Sequence, residues 1–143
     1  MIALQIESTK EFLNLLLAES LYDDYLVGSC EVTTFVSFST DGRRRVTEDE
    51  ETEHSDRVSW GELKPAVLGM IESSSTSGTL QLDLFKYRGR DMGSVRIAFE
   101  EGKFTLTTGY MQKEFSLDKR TSEDWDDVCQ QMLSSNGILI TAL

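Results

Sequence analysis

Val95-Arg96-Ile97-Ala98-Phe99-Glu100-Glu101-Gly102-Lys103-Phe104-Thr105-Leu106-Thr107-Thr108 is the most strongly patterned segment of the chain. Val95, Ile97 and Phe99 alternate with Arg96, Ala98 and Glu100. After the Glu101-Gly102-Lys103 turn, Phe104, Leu106 and Thr108 alternate with Thr105 and Thr107. A period of two on both sides of a glycine turn predicts a hairpin with one apolar face. Past the break at Gly109, a further strand is expected over residues 110–117, then a helix, then a last apolar strand over residues 138–143. Thr121 or Ser122 is expected to cap that helix, with Glu123, Asp124, Asp126 and Asp127 favouring the positive end of its dipole. Trp125, Val128, Cys129, Met132 and Leu133 recur at helical spacing, and Asn136-Gly137 supplies the left-handed stop.

Upstream, Ile2, Leu4 and Ile6 alternate as a strand, and Ser8 with Glu11 has the spacing of a reciprocal capping box. The helix that follows is apolar over a broad arc (Phe12, Leu13, Leu15, Leu16 and Leu17), so it is either buried on two sides or meets another molecule. A long β segment over residues 22–38 should place Cys30, Val32, Thr34, Val36 and Phe38 on one side. Thr40-Asp41-Gly42 should turn it into a short basic edge strand over residues 43–47. Pro65 marks another helix, whose cap is expected within residues 62–64 because proline is tolerated in a first turn. Leu63, Val67, Met70 and Ile71 form its packing stripe. Leu80, Leu82 and Leu84 form a strand, and residues 87–91 read as a polar link into the hairpin. The rhythm of strand, strand, helix, Ser-rich connection, glycine and strand occurs twice, which suggests a weak internal duplication.

The chain has 143 residues, 39% of them hydrophobic and 27% charged, with a formal net charge of −11. That length suits one domain over residues 1–143 that buries its own core. No apolar run approaches the ~20 residues of a membrane span, and no basic region precedes the first apolar stretch, so cytoplasmic residence without membrane association is the expectation. A charge of −11 opposes general nucleic-acid binding, which depends on Lys and Arg displacing counterions. It supports solubility, and it suits a basic protein partner.

The residues offer little catalytic chemistry. Cys30 and Cys129 with His54 are too few and too scattered for a zinc site, and both thiols fall at positions patterned as core, which argues against a Cys–His nucleophile. Residues 47–57 read as a mobile acidic loop. Asp49, Glu51, Glu53 and Asp56 lack the spacing and central glycine of a calcium loop. Gly89 and Gly93 are not followed by the Gly-Lys-Ser/Thr of a phosphate cradle. No metal, cofactor or catalytic residue is therefore assigned. The residues singled out for partner binding are Glu48, Asp49, Glu50, Glu51 and Glu53 in the loop, together with Trp60. Trp60 has two readings, a packing staple for the adjoining helix or an anchor for a partner.

Met1-Ile2-Ala3-Leu4-Gln5-Ile6 with Lys10-Glu11-Phe12, Thr40-Asp41-Gly42, Glu62-Leu63-Lys64-Pro65, Thr107-Thr108-Gly109 and Trp125-Asp126-Asp127 together resemble a small family of uncharacterised proteins, a domain of unknown function from anaerobic Gram-positive bacteria. The resemblance implies no activity. The order strand, helix, long hairpin, helix, strands also resembles one domain of a DNA sliding clamp. A clamp turns basic helix surfaces to DNA, whereas the last helix here is acidic, so a shared fold would not imply a shared role.

The expected fold is α+β, a twisted and largely antiparallel sheet with about three helices on its apolar face. The leading functional expectation is a non-catalytic protein that binds another macromolecule, as a regulator, immunity-type inhibitor or nucleic-acid mimic. The alternative is a small-molecule binder or enzyme with a pocket between sheet and helices, lined in part by Thr34 and Thr108. A homo-oligomer through the helix at residues 12–17 is compatible with either.

Overall fold

The computed structural model describes residues 1–45, 56–74, 78–114 and 117–143. Its elements are β1 (Ala3–Ile6), α1 (Thr9–Leu17), β2 (Leu26–Thr33), β3 (Ser37–Thr40), α2 (Trp60–Glu72), β4 (Thr79–Arg88), β5 (Asp91–Glu100), β6 (Lys103–Met111), α3 (Arg120–Ser135) and β7 (Ile140–Ala142). The central hairpin pairs as its alternation predicts, with Ile97 opposite Leu106 and Phe99 opposite Phe104. Glu101 (φ 52°) and Gly102 (φ 77°) make the left-handed turn that matches the strand twist. The seven strands form one open sheet in the order β3-β2-β4-β5-β6-β1-β7, and every pairing is antiparallel. The fold is α+β.

One face of this sheet carries Leu4, Ile6, Cys30, Val32, Leu80, Leu82, Leu84, Val95, Ile97, Phe104 and Leu106, all buried. The helices close over it with Phe12, Leu15, Leu16 and Leu17 from α1, Trp60 and Val67 from α2, and Trp125, Cys129 and Leu133 from α3, giving a single core. Fully burying an aliphatic or Phe side chain is worth about 1.5–3 kcal/mol, so a core of this extent needs no cross-link. Both cysteines are free and buried. A register shift at Gly28 lets Val27, opposite Leu84, and Cys30, opposite Leu82, share the inner face despite their odd separation. The other face presents Gln81, Asp83, Arg96, Ala98, Thr105 and Thr107.

Several boundaries differ from expectation. The long segment over residues 22–38 is two strands: the chain turns at residues 34–36, and β3 returns with Phe38 opposite Val32. Thr40-Asp41-Gly42 instead ends β3 and leads to a bridge between Arg43 and Arg57. β4 and β5 run on to a tight turn at Gly89 and Arg90, where a polar link was expected, with Arg88 opposite Asp91. β6 passes straight through Gly109, which pairs with Ser94, and among the described residues no separate strand lies between it and α3. α2 starts at Trp60, so Pro65 lies inside the helix and Ser59 holds the cap. α3 starts at Arg120 after Lys119, neither Thr121 nor Ser122 caps it, and Asp118 accepts a hydrogen bond from the Arg120 N–H at 3.0 Å. The duplicated rhythm does not become duplicated pairing, since β4 joins β2 whereas β7 joins β1.

The broad apolar arc of α1 is spent internally. Phe12 meets Phe104 edge to face at 4.9 Å between ring centroids, and Leu16 is fully buried. Of the residues in that arc Leu13 alone is half-buried, so an oligomer through residues 12–17 would have to make its contact at Leu13. No helix among the described residues is long and apolar enough to cross a membrane.

Candidate ligand pocket

Where the middle of α1 and the C-terminal end of α2 meet one end of the sheet, the side chains leave a pocket of about 390 Å³. Leu13 enters from α1, and Ile71 and Ser74 from the C-terminal end of α2. Val32 and Thr34 come from the end of β2, Gly78, Thr79 and Leu80 from the start of β4, and Phe99 and Phe104 from the β5–β6 turn. The glycine is required by a close approach: a Cβ at Gly78 would clash with the carbonyl group of Thr33. The volume lies within the usual range for ligand sites, about 300–1,000 Å³, and the walls are apolar with three hydroxyls from Thr34, Ser74 and Thr79. No charged side chain lines it among the described residues.

The surroundings are less neutral. α2 ends at the pocket with Glu72 and has no basic residue in its last turn, so its dipole presents a partial negative charge there. Phe35 and Val36 follow directly on Thr34 at the β2–β3 turn and are 68% and 51% exposed.

Hollows on the uncovered sheet face flank Asp83, but its carboxylate already accepts hydrogen bonds from the Ser29 hydroxyl at 3.0 Å and the Arg96 Nε at 2.8 Å. A further hollow at the start of α3 contains Asp91, which accepts from Tyr110 Oη at 2.6 Å and from the Lys113 N–H at 3.2 Å. Both carboxylates serve to tie strands together.

Trp60 is fully buried and donates its indole N–H to the Leu16 carbonyl at 2.8 Å. It is a packing residue, and the anchor reading is corrected, because no part of its ring reaches the surface. Glu48, Asp49, Glu50, Glu51 and Glu53, singled out for partner binding, and His54 lie outside the described residues. Of the two threonines expected to line a cavity, Thr34 lines the pocket. Thr108 lies instead at the hollow beside Asp83 and is itself buried: it donates to Asp126 Oδ1 at 2.5 Å and accepts from the Ile2 N–H at 2.9 Å, joining the residue ahead of β1 to β6 and α3. Asp126, expected among the solvated acids of the last helix, is thereby also buried. Burial pushes the Cys30 thiol up to about 11 and Cys129, which also faces the Asp126 charge, up to about 12. Neither thiol is a nucleophile near neutrality.

Sequence reasoning expected a pocket between sheet and helices with Thr34 on it but missed the rest of its lining, because Phe35 and Val36 form a turn without glycine, proline, asparagine or aspartate. Without that turn, alternation puts Val36 on the same side as Cys30 and Val32, whereas it is 51% exposed. The one available signal was Gly78 beside a strand, the mark of a close backbone approach.

The arrangement defines a two-layer α+β protein with an apolar pocket, free of charged side chains among the described residues, at one end of its helical layer. Residues 15–95 and 86–140 match a family of unknown function (DUF5721), and the chain belongs to that family. No curated protein and no solved structure matches it, so the resemblance to a clamp domain stands on element order alone.

Proposed function

We propose that this is a non-catalytic binding protein of the cytoplasm that receives an apolar group in the pocket between α1, α2 and the sheet. The observation that carries this reading is the pocket itself: ligand-sized, walled by Leu13, Val32, Ile71, Leu80, Phe99 and Phe104, with hydroxyls as the only polar side-chain groups among the described residues that line it. An apolar occupant would leave no lining charge unpaired, and the hydroxyls at Thr34, Ser74 and Thr79 would orient it. The raised thiol pKa values support a role in binding over one in covalent catalysis.

Titration with the neutral solvatochromic dye Nile red tests this. Binding should be saturable with a blue-shifted emission, and Thr34→Phe, which fills the pocket from its wall, should weaken it about tenfold, a difference of about 1.4 kcal/mol. Gln5→Ala on β1 should leave it unchanged. Absence of saturable binding, or equal binding by Thr34→Phe, would sink the reading.

A further inference from the structure

We infer that the occupant is an apolar side chain carried by a basic segment of a partner protein, seated with its anchor in the pocket and its flanking residues over Phe35 and Val36. The inference rests on the pocket reading and deepens it by naming the partner's chemistry. Two observations point to a protein over a free small molecule and to a basic one over an acidic one.

The first is apolar surface outside the pocket. A single exposed hydrophobe is ordinary, but Phe35 and Val36 are adjacent, more than half exposed, and continuous in the chain with Thr34 of the pocket wall. A ligand of pocket size would leave them in water, whereas a polypeptide would cover them. An aromatic beside a ligand-sized hollow is the usual shape of a binding hot spot.

The second is electrostatic. The negative end of the α2 dipole reaches the pocket at Ile71 and Ser74, uncompensated by any basic residue in the last turn and reinforced by Glu72. Glu100 and Glu101 follow directly on Phe99, and the nearby cations in sequence are Lys10 and Lys103, while the whole chain carries −11. This field disfavours the carboxylate of a fatty acid and favours Lys or Arg beside the anchor. Because the pocket lining is uncharged, the cations belong at the rim, where they accelerate encounter and make binding salt-sensitive.

Selection of short random peptides on the immobilised full chain, followed by calorimetry of the enriched sequences, tests the inference. Enriched peptides should carry Leu, Met, Phe or Trp with Lys or Arg within a few residues. Affinity should fall about tenfold or more from low to high salt, and Phe35→Ser/Val36→Ser should weaken it about tenfold while leaving Nile red binding intact. If Nile red binds but the enriched peptides are acidic or lack an apolar residue, or no peptide is enriched, the partner assignment falls and the pocket stands. The same follows if dodecanol binds more tightly than any peptide, or if the Phe35/Val36 variant binds as wild type. If Nile red itself does not bind, the pocket reading falls and takes this inference with it.

Discussion

A Cβ at Gly93 would come within 2.5 Å of the Trp125 ring, which lies against β5 with its Nε1–H donating to the Ser94 carbonyl at 3.1 Å and the Arg88 guanidinium 5.5 Å from its centroid. Gly93→Ala should therefore push Trp125 out of place. Overpacking of this kind costs about 1–3 kcal/mol, read as a lower denaturation midpoint with an altered near-UV tryptophan signal. Gly69 in α2 is the opposite case. Nothing stands within 4 Å of its absent Cβ, so Gly69→Ala should stabilise the chain by about 0.5–1 kcal/mol through helix propensity. Both glycines look alike in the sequence. Only the residue across the layer distinguishes them, since Trp125 is 32 positions away from Gly93 along the chain.

Ser-x-x-Glu occurs at the start of two helices and does different work in each. At α2 the box is complete: the Glu62 N–H donates to Ser59 Oγ at 3.3 Å, the Ser59 N–H donates to Glu62 Oε1 at 3.1 Å, and Arg44 donates to both oxygens of that carboxylate at 2.7 and 2.8 Å. At α1, Ser8 occupies the cap position without a side-chain capping bond, and its hydroxyl accepts from the Leu139 N–H at 3.0 Å, fastening the chain ahead of β7 to the start of α1. Ser59→Ala should cost about 1 kcal/mol, whereas Ser8→Ala should chiefly speed amide exchange at Leu139. The hydrogen bonds from Arg44 and Ser59 hold the Glu62 carboxyl below its ordinary value of 4.5. Its contribution is therefore complete above pH 4.5 and is lost as pH falls through the lower folded value. Wild type should lose more stability on acidification than Glu62→Gln, and equal acid limbs in chemical denaturation would contradict this. The helix that depends on this box was placed too late in the sequence because Pro65 suggested a first turn, yet the proline sits further in and α2 tolerates it.

For the molecule as a whole, the same burial that disarms the thiols sets its response to alkali. Cys30 rises to about 11 and Cys129 to about 12 from an ordinary 9.0, and burial raises Tyr22 and Tyr25 as well. Each group holds its proton more tightly folded than unfolded, so its contribution is complete below pH 9 and falls as pH rises through the folded values. Thermal melts should decline from about pH 9 upward, and Cys129→Ala should show a shallower decline than wild type. Iodoacetamide should label both thiols slowly in the folded chain and quickly after unfolding.

The α+β class, the β5–β6 hairpin, the apolar stripes of α1 and α3, and the helix stop at Asn136 and Gly137 are legible in the residues alone, because each follows from a local period or a backbone preference within a few residues. The tertiary structure alone decided which face of each element was covered, and so what was left open. It buried Trp60, Thr108 and Asp126 beneath distant partners, turned the chain at residues 34–36 without a turn-forming residue, and brought Leu13, Thr34, Ile71, Gly78 and Phe99 around one hollow. Apart from Ile71 and Gly78, those positions are separated by twenty residues or more and meet only when the helices close on the sheet, so no local pattern can encode their meeting.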